Sequence, residues 1–292
     1  MATATQSRST LAVRPLAPAL GADLLGADLL RPSPSDIAFI RQALLQHLVL
    51  RFRDYSMSDG DLTRFAKRFG ELEATPDYAR SSPAIAGSPT MTAVANVRDA
   101  EDPVAGKGDG ELHWHTDLGF TECPSTFTFL IAREIPRAGG NTSFANMYNA
   151  FERVPESLKA RLRGLGVKHQ ASHDSTGKRR PGYLDIETDD PREMPGPVHP
   201  IIRTHPETGR QALYLGRRFG AYIPGLPLTK SETLLDEVFS YVAQPGDVWS
   251  QEWQVGDFVI WDNRCTMHRR DSFTGQGRRR MHRLMTKGDR PV

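Results

Sequence analysis

A histidine and an aspartate stand two positions apart in Leu112-His113-Trp114-His115-Thr116-Asp117-Leu118-Gly119-Phe120. In extended backbone, residues two apart point to the same side, so His115 and Asp117 can aim an imidazole and a carboxylate at one point. A third ligand has to come from elsewhere, and the candidate is His268, at the end of Trp261-Asp262-Asn263-Arg264-Cys265-Thr266-Met267-His268. Two histidines and one carboxylate on one side of a cation leave the other side open, the facial arrangement of non-haem Fe(II) oxygenases. Among nine histidines a His-x-Asp tripeptide arises easily by accident. What adds weight is the apolar run Phe258-Val259-Ile260-Trp261, which leads into a turn just before His268.

The open positions of such a cation can take the carboxylate and keto oxygens of a 2-oxo acid and leave room for O2. If the acid is 2-oxoglutarate, its second carboxylate needs a partner inside a largely apolar fold, and a planar, permanently charged guanidinium is the residue to look for. Arg278-Arg279-Arg280-Met281-His282-Arg283 supplies several. Strand alternation puts Arg279, Met281 and Arg283 on one face and Arg278, Arg280 and His282 on the other. A solvated face is the preferred reading of Arg278 and Arg280.

The elements that must position these groups are mostly short strands. Pro15, Pro18, Gly21 and Gly26 break the apolar pieces between Leu11 and Leu30 into strands and turns. Helices are expected from Ser33, with Ile37, Ile40 and Leu44 on one face, and from Ser58, with Leu62, Phe65 and Phe69. Ser125 to Ile131 alternates Thr and Phe as a half-buried strand requires. Thr229 to Val242 is an amphipathic helix with Ser231 as its cap. Further strands are expected at Thr90 to Val97, Val198 to Thr204, Gln211 to Leu215, Asp247 to Trp253 and Arg278 to Met285. Many strands with turn signals and a few helices favour a mainly β sandwich or barrel with flanking helices. Residues 1–10 read as a disordered tail and 11–292 as a single domain. Its two aperiodic stretches, about 71–111 and 172–197, are lid-like loops beside the site.

Composition removes other classes. The chain has 292 residues, 38% hydrophobic and 25% charged, with no apolar run of membrane-spanning length. Lys and Arg total 37 against 35 Asp and Glu, so neither nucleic acid nor a membrane surface is an expected partner. Cys123 and Cys265 form no CxxC pair, which argues against a disulfide scaffold and for a reducing, cytoplasmic setting.

With Trp114-His115-Thr116-Asp117, Gly139-Gly140-Asn141-Thr142, Phe65-Ala66-Lys67-Arg68-Phe69-Gly70, His199-Pro200-Ile201-Ile202-Arg203-Thr204-His205-Pro206 and the Trp261 to His268 segment, the chain resembles the TauD/TfdA family of Fe(II)/2-oxoglutarate-dependent dioxygenases over nearly its whole length. The resemblance implies a double-stranded β-helix, or cupin-like jelly roll, with His115, Asp117 and His268 on iron. It implies Thr142 and Arg279 on the distal carboxylate of 2-oxoglutarate, Arg283 on the anionic group of a small organic substrate, Tyr78 as a substrate contact, and a homo-oligomer. His113 and Leu118, flanking the metal pair, are further substrate candidates. Thr75 stands where the taurine-oxidising relatives have a sulfonate-binding histidine, and Glu111 where they have a substrate-contacting asparagine. Tyr214-Leu215-Gly216 to Ile223-Pro224-Gly225-Leu226-Pro227 is similar to the phenoxyacetate-cleaving branch. The expected activity is therefore hydroxylation of an aryloxyalkanoate beside its ether oxygen. The alternatives are an alkyl sulfonate or sulfate dioxygenase and, from another class, a non-catalytic jelly roll that binds a metal or a 2-oxo acid.

Overall fold

The computed structural model describes residues 11–74, 76, 84–85, 87–96 and 108–292. The expected tail, Thr75, Tyr78 and much of the 71–111 loop lie outside the described residues. The chain starts with β1 (Ala12–Pro15), β2 (Ala22–Leu25), α1 (Pro34–His47), β3 (Val49–Phe52) and α2 (Asp59–Ala66). Next come β4 (Ala84–Ile85), β5 (Ser88–Ala95), β6 (Leu112–His115), β7 (Phe127–Glu134), β8 (Thr142–Asn146), α3 (Met147–Arg153) and α4 (Glu156–Leu162). Then follow β9 (Gly166–Lys168), β10 (Val198–Pro200), β11 (Ile202–Thr204), β12 (Gln211–Leu213) and α5 (Leu228–Phe239). The last strands are β13 (Val248–Gln251), β14 (Phe258–Asp262), β15 (Thr266–Arg270) and β16 (Arg280–Met285).

Eight strands make one sheet, in the order β1-β2-β3-β14-β7-β16-β5-β4, and four make a second, β13-β8-β15-β6. From β13 onwards successive strands alternate between the sheets, which is the winding of a double-stranded β-helix; the sheets do not close into a barrel. One apolar core lies between them, with Leu130, Val259 and Met281 from the large sheet against Phe144 and Met267 from the small one. A second joins the outer face of the large sheet to α1 and α2, through Phe127, Phe129, Ile131 and Phe258 against Ile40, Leu44, Leu62 and Phe65.

The two early helices start where the serines predict. Ser33 Oγ accepts the Asp36 N–H at 3.1 Å while the Asp36 carboxylate accepts the Ser33 N–H at 2.9 Å, and Ser58 and Asp61 repeat the device at 3.1 and 3.0 Å. Two expectations change. Ser231 is not a cap: α5 begins earlier, after Pro227, and the buried Ser231 hydroxyl accepts the Ile223 N–H at 2.9 Å. Strand β7 is not half-buried, because the small sheet covers the face that carries Thr128 and Leu130.

Where β14 turns into β15 a buried polar network ties the turn to the β11–β12 hairpin. Asp262 accepts Arg264 Nε at 2.9 Å, Arg264 Nη2 at 2.6 Å and His205 Nε2 at 3.1 Å, and Arg264 Nη1 reaches Glu207 at 2.6 Å. His205 Nδ1 accepts two backbone N–H groups at 3.2 Å, so Nε2 carries the proton. His205, Asp262 and Cys265 cluster closely enough to suggest a metal. Arg264, however, already neutralises the carboxylate. Burial would raise the Asp262 pKa, but Arg264 and His205 bring it well below the usual carboxylate range. Its stabilisation is therefore present above the unfolded carboxyl pKa, about 3.9, and is lost as pH falls towards the folded value. Arg264→Met leaves a buried charge without its partner and is expected to cost about 3–5 kcal/mol, read as a lower urea midpoint at pH 7. An unchanged midpoint would show that the network is dispensable.

Candidate active site

His115 closes β6 and pairs in register with His268 on β15, with ring centroids 4.2 Å apart. Asp117 follows two residues beyond the strand, and one ligand atom from each of the three residues lies within 4.8 Å of the others. His268 Nε2 is 3.8 Å from Asp117 Oδ2. His115 Nδ1 lies 2.7 Å from the His113 carbonyl, to which it donates. That bond fixes the tautomer in which Nε2 holds the lone pair a metal needs.

Supporting groups hold the carboxylate. Thr128 donates its hydroxyl to Asp117 Oδ2 at 2.9 Å, and Arg283 Nη1 donates to Oδ1 at 2.9 Å. Thr128 in turn accepts Asn263 Nδ2 at 2.8 Å, and Asn263 accepts the Trp261 indole N–H at 3.0 Å. Burial would raise the Asp117 pKa, but the charges of Arg283, His268 and His115 and the Thr128 hydroxyl bring it below the carboxylate range. His268 sits between Trp261 and Phe144, and burial lowers its pKa more than Asp117 restores it. Two imidazoles and one ionised carboxylate fit a divalent cation of the first transition row, which takes each imidazole in its neutral form.

A guanidinium pair marks the other end of the same pocket. Arg279, only 2% exposed, donates Nε to the Gly140 carbonyl at 3.2 Å, and Arg270 donates Nη2 to the Gly110 carbonyl. Among the described residues no carboxylate forms an ion pair with either, and Arg270 Nε is buried without a partner. Burial, reinforced by the nearby Arg270 charge, lowers the Arg279 pKa to about 9. Thr142 Oγ1 accepts the Trp253 indole N–H at 3.0 Å, which leaves the threonine hydroxyl hydrogen to donate. Gly140 adopts φ +67°, and a Cβ there would meet Arg279 Cδ at 3.2 Å. An anionic ligand is what such a site lacks, and the distal carboxylate of 2-oxoglutarate meets that need.

The remaining candidates divide. Leu118 is buried in the pocket wall, and Arg283 lines the pocket as well. His113 is exposed and contributes only its carbonyl; it does not face the pocket. The reason is an irregularity in β6: His268 opposes His115 but Arg270 opposes Leu112, so β6 holds one more residue than β15 over that span. The bulge turns both Leu112 and His115 inwards and breaks the alternation on which His113 depended. Glu111 is exposed too and accepts Arg269 Nη1 at 2.8 Å, away from the pocket.

Sequence reasoning missed Arg270, Thr128, Asn263, Arg180 and Arg217. Arg270 had a signal, since it stands two positions after His268 on one strand face. Arg180 and Ser175, from the 172–197 stretch, line the pocket, with Arg180 Cζ 3.6 Å from the Phe120 ring centroid. Gly216, at φ +63°, packs so closely on His169 that a Cβ would lie 1.9 Å from its Nδ1, and its carbonyl accepts the Thr116 N–H at 2.9 Å.

Comparison with known proteins bears on this geometry. The family model described as taurine catabolism dioxygenase TauD, TfdA family matches residues 12–285. The alpha-ketoglutarate-dependent 2,4-dichlorophenoxyacetate dioxygenase of Burkholderia sp. (strain RASC) is 31% identical over 88% of this chain and 88% of its own length. The alkylsulfatase of Acinetobacter baylyi is 31% identical over 96% of this chain and 86% of its own. The crystal structure of AAD-2 in complex with Mn(II) and N-oxalylglycine superposes with a TM-score of 0.77 at 27% identity, covering 97% of this chain and 99% of that one. Among the described residues no helix is long and apolar enough to cross a membrane.

Proposed function

The chain belongs to the TauD/TfdA family and is thereby an Fe(II)- and 2-oxoglutarate-dependent dioxygenase, and from that premise we propose that it hydroxylates an aryloxyalkanoate at the carbon beside the ether oxygen. In this reading His115, Asp117 and His268 hold the iron, and Thr142 and Arg279 hold the far carboxylate of 2-oxoglutarate. With O2, the bound iron and co-substrate supply the two-electron oxidation that turns a C–H into a C–OH, 2-oxoglutarate leaving as succinate and CO2.

The chain's own residues select and place the substrate. Arg283 holds Asp117 through Nη1, while its Nε is buried without a partner. A substrate carboxylate supplies that missing acceptor and sets its neighbouring carbon beside the metal ligands. Leu112, Leu118, Leu130 and Trp261 make the surrounding wall apolar and keep water from the reacting carbon, and Phe120 and Phe219 offer faces for an aryl ring. Once the carbon between carboxylate and ether oxygen carries a hydroxyl, it is a hemiacetal. Its O–H proton passes to the ether oxygen as the C–O bond breaks, giving a phenol and a 2-oxo acid.

The observation that carries this reading is the unpartnered Arg283 nitrogen in an apolar, aromatic-lined pocket. Its test is succinate formation over aryloxyacetates, aryloxypropionates, alkyl sulfates and alkyl sulfonates, with phenol release measured alongside. The expected result is one phenol per succinate from an aryloxyalkanoate. A second reading, oxidation of an alkyl sulfate or sulfonate, is favoured by one observation: Glu111 points outwards onto Arg269 and so does not oppose a sulfur-based anion. Succinate from alkyl sulfates with none from any aryloxyalkanoate would replace the first reading by the second.

A further inference from the structure

Neither the metal nor 2-oxoglutarate accounts for Arg217, a cation in the wall of the same pocket. Its backbone bridges antiparallel to His115, extending the small sheet beyond β6 and placing Arg217 one strand spacing from the metal pair. The side chain reaches Phe219, which lines the same pocket. Its Cζ is 6.0 Å from the ring of Phe219, which is 51% exposed, and its charge further lowers the pKa values of His169 and His173, which burial has already lowered.

The guanidinium is poorly served by the protein. It makes one long hydrogen bond, from Nη2 to the Gln170 carbonyl at 3.5 Å, and Nε is buried without a partner. Asp174 attracts it without forming an ion pair, and Asp174 Oδ1 takes the Thr176 N–H, the Thr176 hydroxyl and the Lys178 N–H. Arg218 beside it is served quite differently, by Glu232 and by Asp236 at 2.8 Å. Burial lowers the Arg217 pKa to about 10, so it is charged at neutral pH. A charged, half-buried donor with an empty N–H, facing a ligand pocket, calls for an acidic ligand group.

We propose that Arg217 receives a second acidic group, at the end of the substrate remote from the metal, so that the preferred substrate is a dianion with a carboxylate on its far end. The carbon skeleton assumed in the test rests on the aryloxyalkanoate reading; the second charge rests on Arg217 alone.

Protein loaded with Mn(II) and N-oxalylglycine would be titrated calorimetrically with phenoxyacetate and with 4-carboxyphenoxyacetate. The wild type is expected to bind the dianion at least about tenfold more tightly, the fold-change of one charge-assisted hydrogen bond. Arg217→Met is expected to bring that ratio close to one, Arg217→Lys to restore part of it, and Arg218→Met to keep the wild-type ratio. A wild-type ratio of one, or a preference that survives Arg217→Met, overturns the proposal. If the wild type binds neither compound, the aryloxyalkanoate reading is what has failed. Octyl sulfate and 8-carboxyoctyl sulfate then replace the pair: a ratio that Arg217→Met abolishes supports the second acidic group, and a ratio of one or a surviving preference overturns it.

Discussion

His268→Ala and Asp117→Asn proteins are expected to lose succinate formation by more than about 100-fold, the upper end of what removing a merely supporting contact costs a metal site. Each change leaves at most two of three convergent ligands. Asp117→Asn also removes the one negative charge among them, and leaves Arg283 facing a neutral amide. Thr128→Val gives the internal comparison: it deletes only the hydroxyl that holds Asp117 Oδ2 at 2.9 Å, and a loss of about 10–100-fold is expected there. Fe(II) binding, followed calorimetrically without O2, should fall in the same order. If His268→Ala or His115→Ala kept wild-type turnover, the metal assignment would be wrong.

Arg279→Met should move two measurements in opposite directions. In the absence of ligand the native side chain is a buried cation with no carboxylate partner among the described residues, its pKa lowered to about 9. An apolar side chain of similar length is therefore expected to raise the thermal midpoint of the ligand-free protein. In the presence of 2-oxoglutarate the outcome reverses. Truncating one side of a buried, hydrogen-bonded charge pair costs about 2–5 kcal/mol, so the KM for 2-oxoglutarate should rise on the order of 100-fold. The midpoint increase that the ligand gives the wild type, a mass-action effect, should vanish at the same concentration. A purely structural arginine would lower the ligand-free midpoint and leave KM alone.

How much of this was legible varied with how far apart the cooperating residues stand in the chain. The helix starts at Ser33 and Ser58 were readable because a capping box is complete within four residues. The His-x-Asp pair was readable for the same local reason, and the strand before His268 by its apolar run. Ser125 to Ile131 was expected to be half-buried because alternation reports that a strand has two faces, not what covers the second one, here the face that carries Thr128. His113 was misassigned because one added residue in β6 reverses the side to which the alternation points, and the bulge is visible only against β15.

What the sequence by itself determined about this protein is the chemistry on offer: two imidazoles and a carboxylate for a metal, a threonine and an arginine strand for acids, and the period-2 pattern that makes a β fold. Those follow from side-chain type and from backbone geometry over a few residues. Only the tertiary structure decided which groups meet. It set Arg270 beside Arg279 with no carboxylate in an ion pair with either among the described residues, gave one Arg283 nitrogen to Asp117, and left Arg217 in the pocket wall with an unmade hydrogen bond. Charge compensation acts through space across strands far apart in sequence. Whether a guanidinium is already neutralised or still waiting for a ligand is therefore a property of the packed sheets.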